Sequence, residues 1–419
     1  MRCVEAQLQG RRRAGPARLG PVRYVPYAVA LLLMACSAGA GHRALAKPGA
    51  APLGGGISST GRIAIDLWDG QHIGLPVEVN GVATGALLDS GSERTVLDSG
   101  FAKQVGVRAA GEALATGIAG SEMGQVASEV QITIGSLRLE GLTTQVLDLS
   151  GLEKYAWHPL SVVLGEDVFR RAIVDIDPAD DTIAFHAPSS FQAPAGATRL
   201  ALGRAGGLRV VDVGIEDGPL IPLVFDLGSG VPVTLAPAYW RKHLDLRSRP
   251  TSTSLAAGVG GTKESVTCTL SPVQLAGVLL ASVPAALESE PAAEVNAGAL
   301  GTLGFPVLRR FHLFVDDAHN CLYLVPDPGA IARPFAKDRL GLSLVREGGF
   351  LRVVHVGRGS PAAAAGFRAG DRIAALDGRP AGTWTRRDLG ALAERPAGTA
   401  VSIRSSDGTA RSVVLQDFS

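Results

Sequence analysis

The chain has too little of several things for whole classes of protein to remain open. Its 419 residues carry only 4 cysteines, too few to staple a disulfide scaffold. At that length several apolar cores can form, so folding needs neither disulfides nor a structural metal. Aromatic residues make up 5% of the chain, and its 8 histidines show no ligand spacing, so no metal and no cofactor is expected. Neither sign of charge dominates: 40 Lys and Arg stand against 39 Asp and Glu, a net +1. That balance argues against a surface built for nucleic acid. There is no Gly-x-Ser-x-Gly elbow and no phosphate-binding glycine loop. What the chain does have is 46% hydrophobic residues with 53 Gly and 25 Pro. Such a composition is globular and dense in turns, and it points to β structure over long helices.

Residues 1–41 read as a targeting segment. Arg11, Arg12, Arg13, Arg18 and Arg23 precede an apolar stretch at 24–35, far short of the roughly 20 residues a membrane-spanning helix needs. Cys36 follows Leu33-Met34-Ala35. This resembles a bacterial lipoprotein signal, which implies a lipid on Cys36 and membrane contact through that lipid. Cleavage after Ala38-Gly39-Ala40 is the competing reading. Both export the chain to the periplasm or cell envelope. Residues 42–59 form a Gly/Pro/Ala-rich tether. Similar breaks at 186–198 and 326–338 cut the rest into pieces at 60–188, 199–328 and 339–417.

The first two pieces are copies. ALLDSGSERTVLD around Asp89 matches LVFDLGSGVPVTLA around Asp226. Residues 162–185 lie ungapped over 301–324, pairing Leu164 with Leu303, Gly165 with Gly304, Arg170 with Arg309 and Arg171 with Arg310. Asp89 to Gly165 is 76 residues and Asp226 to Gly304 is 78. Between them lie two glycine-rich hairpins, ATGIAGSE at 115–122 and AAGVGGTK at 256–263. Short apolar or alternating runs at 75–80, 85–89, 130–134 and 172–176 predict strands. The second copy repeats them at 208–215, 222–226, 266–270 and 312–315, and short helices are predicted only after each Leu-Gly pair.

Each Asp-x-Gly-Ser ends an apolar strand, where a buried carboxylate is costly unless it is hydrogen-bonded or shares a proton. Gly91 and Gly228 permit a tight turn whose amides point at the carboxylate, and Ser92 and Ser229 offer it hydroxyls. If a pseudo-two-fold axis relates the copies, Asp89 and Asp226 meet across it and share a proton. One then serves as base toward water and the other as acid toward a carbonyl oxygen.

These motifs resemble the retropepsin-like and pepsin-like aspartic peptidases. The resemblance covers roughly 60–328 and implies two β lobes with a catalytic Asp89–Asp226 dyad, complete in a monomer. Val163-Leu164-Gly165 and Thr302-Leu303-Gly304 would brace the two turns. The flaps would carry Gly117, Ile118 and Gly120 in one copy, and Gly258, Val259 and Gly261 in the other. The family's usual Thr or Ser after the aspartate is present as Ser90 and replaced by Leu227 in the second turn. In the family that hydroxyl cross-links the turns, so Ser90 supplies half of the pair and Leu227 only packing.

Residues 339–417 follow another pattern. GRGSPAAAAGFRAGDRIAALDG at 357–378 resembles the PDZ domains of bacterial envelope proteases. Ser360-Pro361 fits a helix N-cap, and Gly366, Gly370 and Gly378 fit turns of positive φ. The resemblance implies a groove that binds peptide C-termini as an added strand, with Leu340, Gly341 and Leu342 cradling the carboxylate. Cys268 and Cys321 read as buried free thiols, and Arg170-Arg171 and Arg309-Arg310 as solvated helix ends. The sequence thus predicts an exported aspartic endopeptidase acting on peptides or proteins. The alternative is a catalytically silent peptide-binding protein of the envelope.

Overall fold

The computed structural model describes residues 58–289 and 298–419, together with the backbone of two short strands, Val29–Leu31 and Cys36–Ala38. The leader and tether expected over 1–59 otherwise lie outside the described residues as far as residue 57. The chain is mainly β, 49% strand and 14% helix. Among the described residues no helix is long and apolar enough to cross a membrane.

Each lobe is built on one sheet, and the two sheets share an order. In the first, His72–Val79, Val82–Leu88, Val162–Leu164, Val96–Asp98, Leu137–Leu147, Gly120–Ile134 and Ala109–Gly117 lie side by side. In the second, the same places are held by Leu208–Ile215, Leu220–Asp226, Gly301–Gly304, Val233–Leu235, Val283–Leu287, Gly261–Leu270 and Ser252–Gly258. The strands that end on the aspartates are apolar because both faces are covered: Ala86, Leu87, Leu88, Leu223, Val224 and Phe225 are all buried. Val162–Leu164 pairs parallel with Val82–Leu88, and Gly301–Gly304 pairs parallel with Leu220–Asp226. These central pairings join segments far apart in sequence and clamp each aspartate turn from beside.

A third sheet ties the lobes together. Its order is Thr198–Ala201, Cys321–Pro326, Phe311–Asp316, Ile173–Asp177, Thr182–His186, Ile63–Ala64. Each lobe supplies three neighbouring strands. At the seam Asp175 lies opposite Phe314, with Val174 opposite Val315 and Ile176 opposite Leu313. The internal repeat matches Asp175 to Phe314, so the pseudo-two-fold axis passes between these two residues.

The PDZ unit has its own sheet and core. Leu342–Glu347 is an edge strand, followed in the sheet by Phe350–Val356, Arg372–Leu376, Ala400–Ser405 and Ala410–Val414. Ser360 caps the helix Pro361–Ala364 through the amide of Ala363, and Gly366, Gly370 and Gly378 adopt positive φ.

Three sequence expectations need correction. Helices also form at Ser99–Gln104, Ser150–Ala156 and Pro237–His243. The first is started by Asp98, whose carboxylate accepts from the amides of Gly100 and Phe101. Nor is the Arg309-Arg310 pair solvated. Arg310 is buried, donates to the carbonyls of Ala330, Ile331 and Arg333, and sits 3.7 Å from the Phe335 ring centre. Arg309 reaches the carbonyl of Gly70 in the other lobe. The expected loose break at 326–338 is accordingly a packed connection, with a helix at Pro328–Ala332. Cys268 and Cys321 are free and buried.

The seam also carries a buried charge. Asp175 accepts from Arg62, His186 and His312, the last from the opposite lobe. Burial alone would raise its carboxyl, but the hydrogen bonds from the two histidines and the Arg62 charge hold it at about 2. A folded-state value below the ordinary 3.8 means that the stabilisation is full above that value and is lost as pH falls toward about 2. Asp175→Asn should therefore lose stability at neutral pH and show a flatter acid limb than the wild type, measured as denaturation midpoint against pH.

Candidate functional site

The two aspartate turns face each other across the pseudo-two-fold axis, and both carboxylates are fully buried. Asp89 Oδ1 accepts from the amide of Gly91 at 2.8 Å. Asp226 Oδ1 accepts from the amides of Gly228 at 2.9 Å and Ser229 at 3.0 Å. The glycines are needed for approach, not for an unusual turn, since neither Gly91 nor Gly228 has positive φ. A Cβ on Gly91 would lie 2.7 Å from the Asp226 carboxylate, and one on Gly228 would lie 2.3 Å from that of Asp89. Each glycine leaves the space that the other lobe's carboxylate occupies.

Burial and closeness together set the titration. Burial raises the Asp89 carboxyl well above its ordinary range, and the neighbouring Asp226 charge raises it further. Burial also raises Asp226, but a hydrogen bond from Asp89 and the two backbone amides hold it lower. Two buried carboxylates this close disfavour double ionisation, so the pair favours a single negative charge. Among the described residues neither Oδ2 has a hydrogen-bond partner. The amide count is unequal, one on Asp89 against two on Asp226, and amide donors favour the ionised form.

The serines after the turns do something other than the sequence predicts. The Ser92 hydroxyl donates to the carbonyl of Arg94, and that of Ser229 to the carbonyl of Val231. Both satisfy carbonyls two residues on inside their own turn, a local bond that competes with reaching the carboxylate. Ser90 crosses between lobes. Its hydroxyl donates to the carbonyl of Phe225 at 2.8 Å and accepts from the amide of Leu227 at 2.9 Å. Leu227 is fully buried in the apolar core shared by the lobes, so one half of the cross-link is polar and the other is packing.

Leu164 and Leu303 are buried beside the turns, and the carbonyl of Leu164 accepts from the amide of Asp89 at 2.9 Å. Gly165 and Gly304 are again matters of space. A Cβ there would meet the Arg94 carbonyl at 2.5 Å and the Val231 carbonyl at 1.9 Å. The hairpins Ala109–Gly117/Gly120–Ile134 and Ser252–Gly258/Gly261–Leu270 form the flaps. Their tips touch: a Cβ on Gly260 would lie 2.6 Å from Gly120 backbone atoms, and Ala119 donates to the carbonyl of Val259. Ile118 and Val259 are both buried at these tips.

Sequence reasoning missed one part of the setting. Glu166, directly after the first bracing glycine, is fully buried and ion-paired with Arg209 of the second lobe. Arg209 also pairs with Asp317 at 2.9 Å and lies over the Phe169 ring. The signal was present, because the internal repeat matches Glu166 to Phe305. A charge at a place where the other copy is aromatic marks a broken symmetry.

In the PDZ unit, the amides of Leu340 and Gly341 are already occupied. Both donate to Asp338 Oδ1, at 2.8 Å and 2.9 Å. Asp338 is half-buried, and desolvation pushes its carboxyl up to about 6 despite these donors. Of the three predicted cradle residues, two therefore serve an internal carboxylate, as an aspartate before such a turn readily does. The far end of the groove meets the first lobe. Arg346 lies 4.6 Å over the Trp157 ring, and Arg386 donates to the carbonyl of Tyr155.

Comparison with known families agrees with this architecture. Residues 75–175 match the family described as aspartyl protease, and residues 352–405 match the family described as PDZ domain. The chain carries an aspartyl protease domain followed by a C-terminal PDZ domain. No curated protein matches the chain.

Glu166 supplies a pH test. Burial pushes its carboxyl up to about 7 from an ordinary 4.5, although Arg209, Arg170 and Arg204 pull the other way. Between those two values the folded chain keeps a proton that the unfolded chain has released, so rising pH costs stability across that window. Glu166→Gln should remove that slope, read from denaturation midpoints between about pH 4.5 and pH 7.

Proposed function

We propose that this chain is an exported aspartic endopeptidase. The observation that carries the reading is the pair of buried carboxylates brought face to face, each admitted by the other lobe's glycine. Asp226, with two amide donors, is the base. Asp89 is the acid. A water between them gives a proton to Asp226 Oδ2 as its oxygen attacks the peptide carbonyl carbon, and Asp89 protonates the carbonyl oxygen. The resulting diol collapses as the leaving nitrogen takes the proton from Asp226, the C–N bond breaks and a diol hydroxyl returns its proton to Asp89, so the dyad regains its single proton.

The flaps support a peptide substrate in extended form. Val29–Leu31 of the leader pairs parallel with Leu255–Ala257 on one flap, and Cys36–Ala38 pairs antiparallel with Leu114–Thr116 on the other. Both flap edges thus accept an added strand. The Arg-rich leader with Cys36 supports export to the periplasm or envelope, by lipid attachment or by ordinary cleavage. The PDZ groove supports contact with peptide, although capture of a free carboxylate at Leu340 and Gly341 requires Asp338 to give way.

Leu227 favours a second reading, a silent peptide-binding protein, because the turn-to-turn cross-link is half apolar. Turnover of extended peptides separates the two. Asp226→Asn should abolish cleavage with little loss of thermal stability. Leu227→Thr should raise kcat, by about fivefold for one added hydrogen bond of ordinary net strength. A wild-type chain that binds peptide without cleaving it at any pH overturns the peptidase reading. For the active enzyme, the pH–rate profile should be a bell. Its acid limb follows Asp226 and should lie above the exposed-carboxylate value of about 4, because burial raises both partners.

A further inference from the structure

The two flaps are equivalent by the internal repeat but not by their surroundings. In the first flap the outer strand Ala109–Gly117 begins with four exposed residues. In the second, the outer strand Ser252–Gly258 begins at Ser252, which is buried. What covers it is the PDZ unit. Ser252 donates its hydroxyl to the carbonyl of Arg358 at 2.8 Å, and the amide of Arg358 donates to Thr253 Oγ1 at 3.3 Å. His355 Nε2 lies 3.0 Å from Thr253 Oγ1 and 3.2 Å from Glu264 on the inner strand of the same flap. Gly357 makes the approach close, since a Cβ there would lie 3.1 Å from Ser252 Oγ. One residue before His355, Val354 packs on an apolar cluster to which both flaps contribute, Ala257 and Val259 from the second and Ala115 from the first.

The register of the hairpins matches Ser252 and Thr253 to Gly111 and Glu112. Both are exposed, and a Cβ added to Gly111 would meet nothing within 4 Å. So the PDZ unit grips the root of one flap, at both of its strands, while the matching root of the other flap is exposed.

We propose that His355 is a positioning residue for peptide cleavage: with the backbone of Arg358 it clamps the second flap over the dyad, which makes the PDZ unit part of the cleft. This rests on the peptidase reading. A flap opens and closes by swinging about its root, and Ser252 and Thr253 are at that root. Holding them fixes where Val259 stands relative to the first flap's tip, and so fixes the roof against which an extended peptide is seated. The polar contacts are few and partly shielded from water, and two bonds of ordinary net strength correspond to roughly a tenfold change in the open population.

The test uses the full-length chain and two readouts. Amide hydrogen exchange over 252–270 is compared with exchange over 109–134 in the wild type, His355→Ala, Thr253→Val and His355→Gln. The clamp predicts roughly tenfold faster exchange in the second flap alone for the first two variants, and near-wild-type exchange for His355→Gln, which keeps a polar group in reach. On a cleavable extended peptide, His355→Ala should raise KM by a similar factor with a smaller change in kcat, and His355→Gln should restore KM. Unchanged exchange in the second flap, or an equal rise in both flaps, overturns the proposal, as does a change confined to kcat. Exchange needs no turnover, so a chain that cleaves nothing sinks the peptidase reading while the clamp is still judged on its own.

Discussion

Everything in the two lobes serves one demand: two carboxylates must meet in a place with almost no water. A lone buried carboxylate would neutralise and lose its use as a base. A pair escapes this by holding one proton between them, which keeps a single charge spread over both groups and fixed by backbone amides. The arrangement tolerates no intervening Cβ, hence Gly91 and Gly228. It tolerates little movement either, hence a bracing strand inserted beside each turn, with Gly165 and Gly304 pressed against the turn's own carbonyls. The six-stranded seam below, centred on Asp175 and Phe314, then keeps the two halves of the pair in register.

Much of this was legible because duplication turns weak signals into strong ones. One Asp-Ser-Gly is only a turn, whereas two at matching distances from two Leu-Gly pairs define lobes, axis and dyad together. What was illegible depended on choices that local chemistry leaves open. Ser92 and Ser229 had a carbonyl two residues away and took it. Leu340 and Gly341 had Asp338 within the same turn, so their amides went to it and not to an empty cradle. The burial of Arg310 depends on a connection, 326–338, whose proline content resembles a linker until Phe335 and the carbonyls of Ala330 and Arg333 are seen folded onto the guanidinium. Hydrogen-bond partners of this kind are decided by tertiary proximity, to which residue spacing is blind.

Several departures from two-fold symmetry bear on how the two carboxylates differ. A symmetric pair has no preference. Here Asp226 receives two amides and Asp89 one. The buried Glu166 lies on the Asp89 side, and where it is ionised its charge adds to the cost of ionising Asp89. Its counterpart Phe305 brings no charge to Asp226. These effects agree in sign, and each makes Asp89 the harder of the two to ionise.

The same asymmetry reaches the cross-link and the roof. Ser90 joins the turns from the first lobe with two hydrogen bonds, while Leu227 answers with a fully buried aliphatic side chain. An apolar contact resists separation of the turns as well as a hydrogen bond does, but it does not fix their rotation, because packing has no direction. Directional restraint on the second lobe must then come from elsewhere. Arg209 on Glu166, Arg309 on the Gly70 carbonyl, and the PDZ unit on Ser252 and Thr253 are all polar contacts that second-lobe residues make with other parts of the chain. On this view the loss of the second hydroxyl and the docking of the PDZ unit are linked: a lobe held less firmly at its turn is held more firmly at its edges.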